Sequence, residues 1–118
     1  ADLKVSSHLL IRRDGTLIQY VPFHLRAWHA GLSSFGGRER CNDFSIGIEL
    51  EGVDDGAYEA VQYLVLADVL DALMRTYPDI GSERIVGHSD VAPGRKSDPG
   101  LAFDWRHLHG LIERRWLA

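Results

Sequence analysis

The sequence has a single cysteine, Cys41, among its 118 residues, so no disulfide can form within the chain and a reducing compartment is compatible with it. It has no excess of basic residues. The formal net charge is -4, which argues against nucleic acid as the main partner, because binding phosphates needs a basic surface. It has no long apolar run. The longest, around Tyr63 to Leu70, is broken by Asp68, and a membrane helix needs about 20 apolar residues. No secretory signal opens the chain: Ala1-Asp2-Leu3-Lys4 runs straight into Ser6, Ser7 and His8. There is no internal repeat, no low-complexity tract and no linker.

Hydrophobic residues make up 45% and charged residues 25%, the balance of an ordinary globular protein rather than a disordered one. A chain this short has room for one compact domain, residues 1–118. Val5 to Arg12 and Thr16 to Val21 are apolar runs around Asp14-Gly15, which predicts a β-hairpin, with Pro22 ending its second strand. Residues 30 to 43, with Gly31, Gly36 and Gly37, read as a long polar loop over a site. In the stretch Ser45 to Glu51, Ile46, Ile48 and Leu50 alternate with Gly47, Glu49 and Glu51, a strand with one apolar face and one carboxylate face.

Residues 57 to 76 carry helical spacing. Tyr63, Leu66, Ala67, Leu70, Leu73, Met74 and Tyr77 form the stripe, Gln62, Asp68, Asp71 and Arg75 lie off it, and Pro78 stops the helix. A short strand is expected at Arg84 to Val86 and a Gly/Pro-rich loop from Gly87 to Gly100. Asp104 can cap a last helix that buries Trp105, Leu108, Leu111 and Ile112. The order predicts an α/β fold, a mixed central sheet flanked by helices.

The loop from Gly87 to Gly100 places His88 directly after the expected strand and Asp98 ten positions later. Such a loop can fold back and bring an imidazole and a carboxylate to one metal ion, and a catalytic zinc takes three protein ligands. On spacing alone, a chance His and Asp in a polar loop is the simpler reading. Glu49 sits among apolar neighbours, where a carboxylate is costly to bury without a partner. It is either a general base facing a metal site or part of a solvated strand face with Glu51; alternation alone leans to the second.

Lys96 could stabilise an oxyanion, though an isolated lysine is more often simply solvated. Trp28 could stack on a sugar or cap the core, and the adjacent His29 could hydrogen-bond a ligand. Arg40, Asn42 and Arg95 could hold the carboxylates of a peptide or be ordinary surface residues. His8 reads as structural, and His24, His107 and His109 as exposed.

Taken together, several segments resemble the type 2 N-acetylmuramoyl-L-alanine amidase family. They are Val5-Ser6-Ser7-His8-Leu9-Leu10-Ile11-Arg12-Arg13-Asp14-Gly15, Ala27-Trp28-His29-Ala30-Gly31, Asn42 through Gly52, and Gly87-His88 with Lys96-Ser97-Asp98-Pro99-Gly100. That fold is shared with peptidoglycan-recognition proteins and phage T7-type lysozyme. Arg38-Glu39-Arg40-Cys41-Asn42-Asp43 and Ala92-Pro93-Gly94-Arg95-Lys96 are most similar to the AmpD branch, cytoplasmic bacterial enzymes that process 1,6-anhydro-muramyl peptides in wall recycling.

The resemblance implies a Zn2+ cofactor with His88 and Asp98 as ligands, Glu49 as catalytic acid/base and Lys96 as stabiliser of the tetrahedral intermediate. It places Trp28, His29, Arg40, Asn42 and Arg95 along the substrate groove. The family's remaining ligand is a His on an N-terminal strand upstream of this sequence, so the chain is expected to be truncated at that end. The implied partner is a muramyl peptide, without nucleic acid or membrane, and a monomer is favoured. The competing readings are a peptidoglycan-binding module that does not cut, and a scaffold that regulates a protein partner.

Overall fold

The computed structural model describes residues 7–25, 34–35, 38–39, 45–52, 56–94 and 98–117. The hairpin forms where the sequence predicts it. β1 (Leu9–Ile11) pairs antiparallel with β2 (Leu17–Gln19), with Leu10 opposite Ile18. Its turn has Gly15 at φ 89°, in the left-handed region that glycine enters without a Cβ clash. The Asp14 carboxylate accepts the Thr16 N–H at 2.9 Å, and hydrogen bonds from Thr16 hold that carboxyl below its ordinary pKa. A side chain at Gly15 would also strike Val61, with a Cβ only 2.7 Å from its Cγ2.

Two short strands, β3 (Ser34–Phe35) and β4 (Arg38–Glu39), pair with each other inside the segment expected to be a loop. β5 (Ile48–Leu50) pairs parallel with β1, Glu49 opposite Leu10, giving a mixed three-stranded sheet in the order β2-β1-β5. His8 ties its edge together. This fully buried imidazole accepts the Gly47 N–H at Nδ1 (3.1 Å), which leaves Nε2 to donate to the Leu25 carbonyl (2.7 Å).

α1 (Ala60–Thr76) and α3 (Trp105–Leu117) pack on each other, and α1 packs on β1. The core joins Ile11 of the sheet to Tyr63, Leu66, Leu70 and Met74 of α1 and to Leu108, Leu111 and Ile112 of α3. As predicted, Asp104 caps α3, its carboxylate accepting the His107 N–H at 2.9 Å. Of the histidines expected to be exposed, His24 and His107 are, whereas His109 is half-buried against the Trp105 ring. No helix among the described residues is long and apolar enough to cross a membrane.

Three local expectations are corrected. The strand expected at Arg84 to Val86 does not form; a 3-10 turn, Ser82–Arg84, takes its place. There the Arg84 and Ile85 N–H groups bond to Gly81 and Ser82 carbonyls, so these donors are used locally instead of in a ladder. The loop after Gly87 begins with a single helical turn, α2 (His88–Val91), whose start is held by Asp90 accepting the Gly87 N–H at 2.8 Å.

Gln62 is the third correction. The sequence places it off the apolar stripe, yet it is fully buried, while Tyr77, assigned to the stripe, is 41% exposed. Polarity misleads here because every polar atom of the amide has a partner. Its oxygen accepts the Glu59 N–H at 2.9 Å, capping α1, and its nitrogen donates to the carbonyls of Glu51 (2.9 Å) and Ile11 (3.3 Å). One side chain thus joins the helix N-terminus to the ends of both parallel strands. Gln62→Leu, similar in size, leaves those backbone groups without their partner. The expected loss is about 3 kcal/mol, since each unsatisfied buried group costs roughly 1–3 kcal/mol. Urea unfolding measures it, and an unchanged midpoint would remove Gln62 from this role.

Candidate metal centre

Three chemically active side chains come from three separate elements. Glu49 projects from the middle of β5, His88 opens α2, and Asp98 sits in the turn that follows it. The His88 Nδ1 lies 2.5 Å from the Asp98 Oδ2 and 3.8 Å from the Glu49 Oε1. One donor atom from each residue lies within 4.8 Å of the others, the one such acidic and imidazole group among the described residues. The His88 side chain is 10% exposed, whereas Glu49 and Asp98 keep 41% and 32%. An anchored imidazole is therefore flanked by carboxylates that solvent can reach.

The ten-residue separation of His88 and Asp98 is closed by backbone contacts. The Ser89 N–H donates to the Asp98 carbonyl at 3.1 Å, so the first turn of α2 is stitched to the returning chain. Gly87 permits that approach, because a Cβ there would come within 2.6 Å of the Pro99 Cδ. The Tyr58 hydroxyl donates to the Pro99 carbonyl at 2.7 Å from the opposite side. Alternation alone leans toward one solvated face for Glu49 and Glu51, yet their surroundings differ. Glu51 accepts the Arg13 N–H at 2.8 Å and lies 3.9 Å from Arg12, while Glu49 stands beside His88.

Glu49, His88 and Asp98 line a cavity of about 760 Å³, together with Phe35, Ser45 and Tyr58. The donor set suits a divalent ion of intermediate softness: imidazole nitrogen with carboxylate oxygen is a combination that zinc accepts readily. In the structure the short His88–Asp98 hydrogen bond joins two of these donors.

Of the remaining residues singled out from the sequence, Trp28, His29, Arg40, Asn42, Arg95 and Lys96 lie outside the described residues. Two contributors were assigned no role from the sequence. Gly87 was only one of several glycines in its loop, and Tyr58 stood at the start of an expected helix. A partly buried tyrosine needs a partner for its hydroxyl, which is the one cue that could have flagged it.

Gly87→Ala tests the closure. The added methyl group collides with Pro99, and overpacking of this kind costs about 1–3 kcal/mol. We expect a lower urea midpoint and, in a structure of the variant, a His88–Asp98 separation longer than 2.5 Å. An unshifted midpoint with the pair intact would mean that the turn absorbs the methyl group freely.

With this geometry in view, similarity to known proteins becomes informative. A family model described as N-acetylmuramoyl-L-alanine amidase matches residues 1–101. The 1,6-anhydro-N-acetylmuramyl-L-alanine amidase AmpD of Escherichia coli (strain K12) is 60% identical over 114 residues, which cover 97% of this chain and 62% of that protein. The chain therefore spans less than two thirds of this relative's length. A crystal structure of a Se-Met AmpD derivative superposes with a TM-score of 0.88 at 59% identity, covering 92% of this chain and 60% of the other. The E. coli amidase AmiD, solved with anhydro-N-acetylmuramic acid-L-Ala-D-gamma-Glu-L-Lys, superposes with a TM-score of 0.84 at 36% identity, covering 93% of this chain and 49% of the other.

Proposed function

We propose that this chain, which belongs to the N-acetylmuramoyl-L-alanine amidase family, forms a single amidase domain that cuts the amide bond between 1,6-anhydro-N-acetylmuramic acid and L-alanine. The reaction is zinc-dependent and serves cell-wall recycling in the cytoplasm. The observation that carries the reading is the convergence of Glu49, His88 and Asp98 on one cavity wall. The AmpD relatives and the anhydromuramyl peptide bound to AmiD support the choice of substrate.

His88 and Asp98 would be two of the three protein groups that hold the ion. Zinc, when bound, supplies Lewis acidity toward both the water and the amide carbonyl. Glu49, 3.8 Å from His88, is close enough to take a proton from the attacking water. It then returns that proton to the alanine nitrogen, so the amine leaves neutral and the carboxylate is regenerated. Lys96, by the family resemblance, offsets the negative charge that develops on the carbonyl oxygen. Trp28, His29, Arg40, Asn42 and Arg95 line the groove that orients the muramyl peptide, and the protein acts as a monomer.

Glu49→Ala removes the proton carrier and leaves the ligands in place. It should lower turnover of an anhydromuramyl tripeptide by about 10²–10⁴, the usual worth of a positioned acid/base. Zinc content by metal analysis should stay at the wild-type level. Normal turnover by the variant would exclude Glu49 as the base. His88→Ala and Asp98→Ala should instead lose the metal itself. Wild-type protein that retains a muramyl peptide without releasing the stem peptide, seen by mass spectrometry, would mark a binding module.

A further inference from the structure

We propose that Tyr58 is a positioning residue for the metal centre, acting on Asp98 through the Pro99 carbonyl. The inference rests on the amidase reading for its consequence in zinc binding, but not for the contact itself. Tyr58 lies two residues before α1 and is half-buried on the wall of the same cavity. Its hydroxyl donates to the Pro99 carbonyl at 2.7 Å. Its ring stands edge-on to the buried Phe103, with centroids 5.7 Å apart at 76°. On another side the ring meets the backbone of Gly52, where a Cβ would come within 3.1 Å of the Tyr58 Cε1.

Those neighbours define what the side chain joins. Gly52 is three residues beyond Glu49, and Pro99 directly follows Asp98. The ring therefore bridges the exit of the strand that carries the base and the turn that carries a ligand. Asp98 is held at its own carbonyl by the Ser89 N–H, and its neighbour Pro99 is pressed against Gly87. The Tyr58 hydroxyl supplies a third restraint, on the peptide plane next to the ligand. Without it, the turn gains a motion that carries the Asp98 carboxylate away from His88 while the core of α1 and α3 stays packed.

Tyr58→Phe keeps the ring against Phe103 and removes only the hydroxyl. The reporter is the Ser89 amide, which bonds to the Asp98 carbonyl. By NMR hydrogen exchange on the purified protein without zinc, that amide should exchange about fivefold faster in the variant, the factor expected for one hydrogen bond of average net strength. The amides of Leu66 and Leu70 in α1 should keep their wild-type rates. In a chelator competition the zinc dissociation constant should rise by about tenfold, the low end for loss of a group that orients a ligand.

Unchanged exchange at Ser89 overturns the proposal. So does equal acceleration at Leu66 and Leu70, which would mean that Tyr58 merely stabilises the whole fold. A zinc constant that stays at the wild-type value while Ser89 opens faster also overturns the positioning role. Failure of the wild-type protein to bind zinc at all would instead strike the amidase reading, and the exchange measurement would still decide whether Tyr58 restrains the turn.

Discussion

The approach of the Asp98–Pro99 backbone to the first turn of α2 is the constraint on which the site depends. His88 and Asp98 are ten positions apart, and only a chain that doubles back brings their side chains to 2.5 Å. The Ser89 N–H holds the returning chain by its carbonyl, and Gly87 allows it near because no Cβ intervenes. A helix start has N–H groups without intrahelical partners, and here one of them is used to close the site. The same bond that satisfies the backbone therefore sets how His88 and Asp98 meet.

A second layer of order holds Glu49 against that turn. β5 gains its place through parallel pairing with β1, and parallel strands need something to fix their ends relative to the helix that covers them. Gln62 does this with one amide group, joining the carbonyls of Ile11 and Glu51 to the N-terminus of α1. Burying a polar group so deeply is tolerable because all its hydrogen bonds are made, and the same completeness makes the position intolerant of an apolar replacement. His8 plays the matching part at the other end, binding the Gly47 N–H and the Leu25 carbonyl. Two buried polar side chains thus set the strand that carries Glu49, while apolar burial in α1 and α3 supplies the bulk of the core.

The site and the core divide the work. The apolar contacts between α1 and α3 are non-directional and can accommodate small shifts. The hydrogen bonds at Gln62, His8, Ser89 and Tyr58 are directional and fix angles. For a cluster of side chains drawn from three elements the second kind matters more, because their mutual positions must be held to within fractions of an ångström. The exposure of Glu49 and Asp98 beside a nearly buried His88 leaves one side of a held imidazole open to solvent.

The sequence by itself determined the elements with strong local signals. Asp14-Gly15 between apolar runs specified the hairpin, helical spacing specified α1 and α3, and Asp104 marked its cap. Ordered motifs around Glu49, His88 and Asp98 pointed to the family, although alternation and spacing alone leaned toward solvated carboxylates and a chance pair. Tertiary structure alone brought these three side chains together and buried Gln62, while a 3-10 turn over Ser82–Arg84, held by bonds between residues three apart, replaced the expected strand. For the convergence and for the burial of Gln62 the physical reason is the same. Periodicity and capping are properties of neighbouring residues, whereas ligand convergence and polar burial depend on partners 10 to 51 positions away, whose approach is set by backbone bonds and by the absence of a single Cβ.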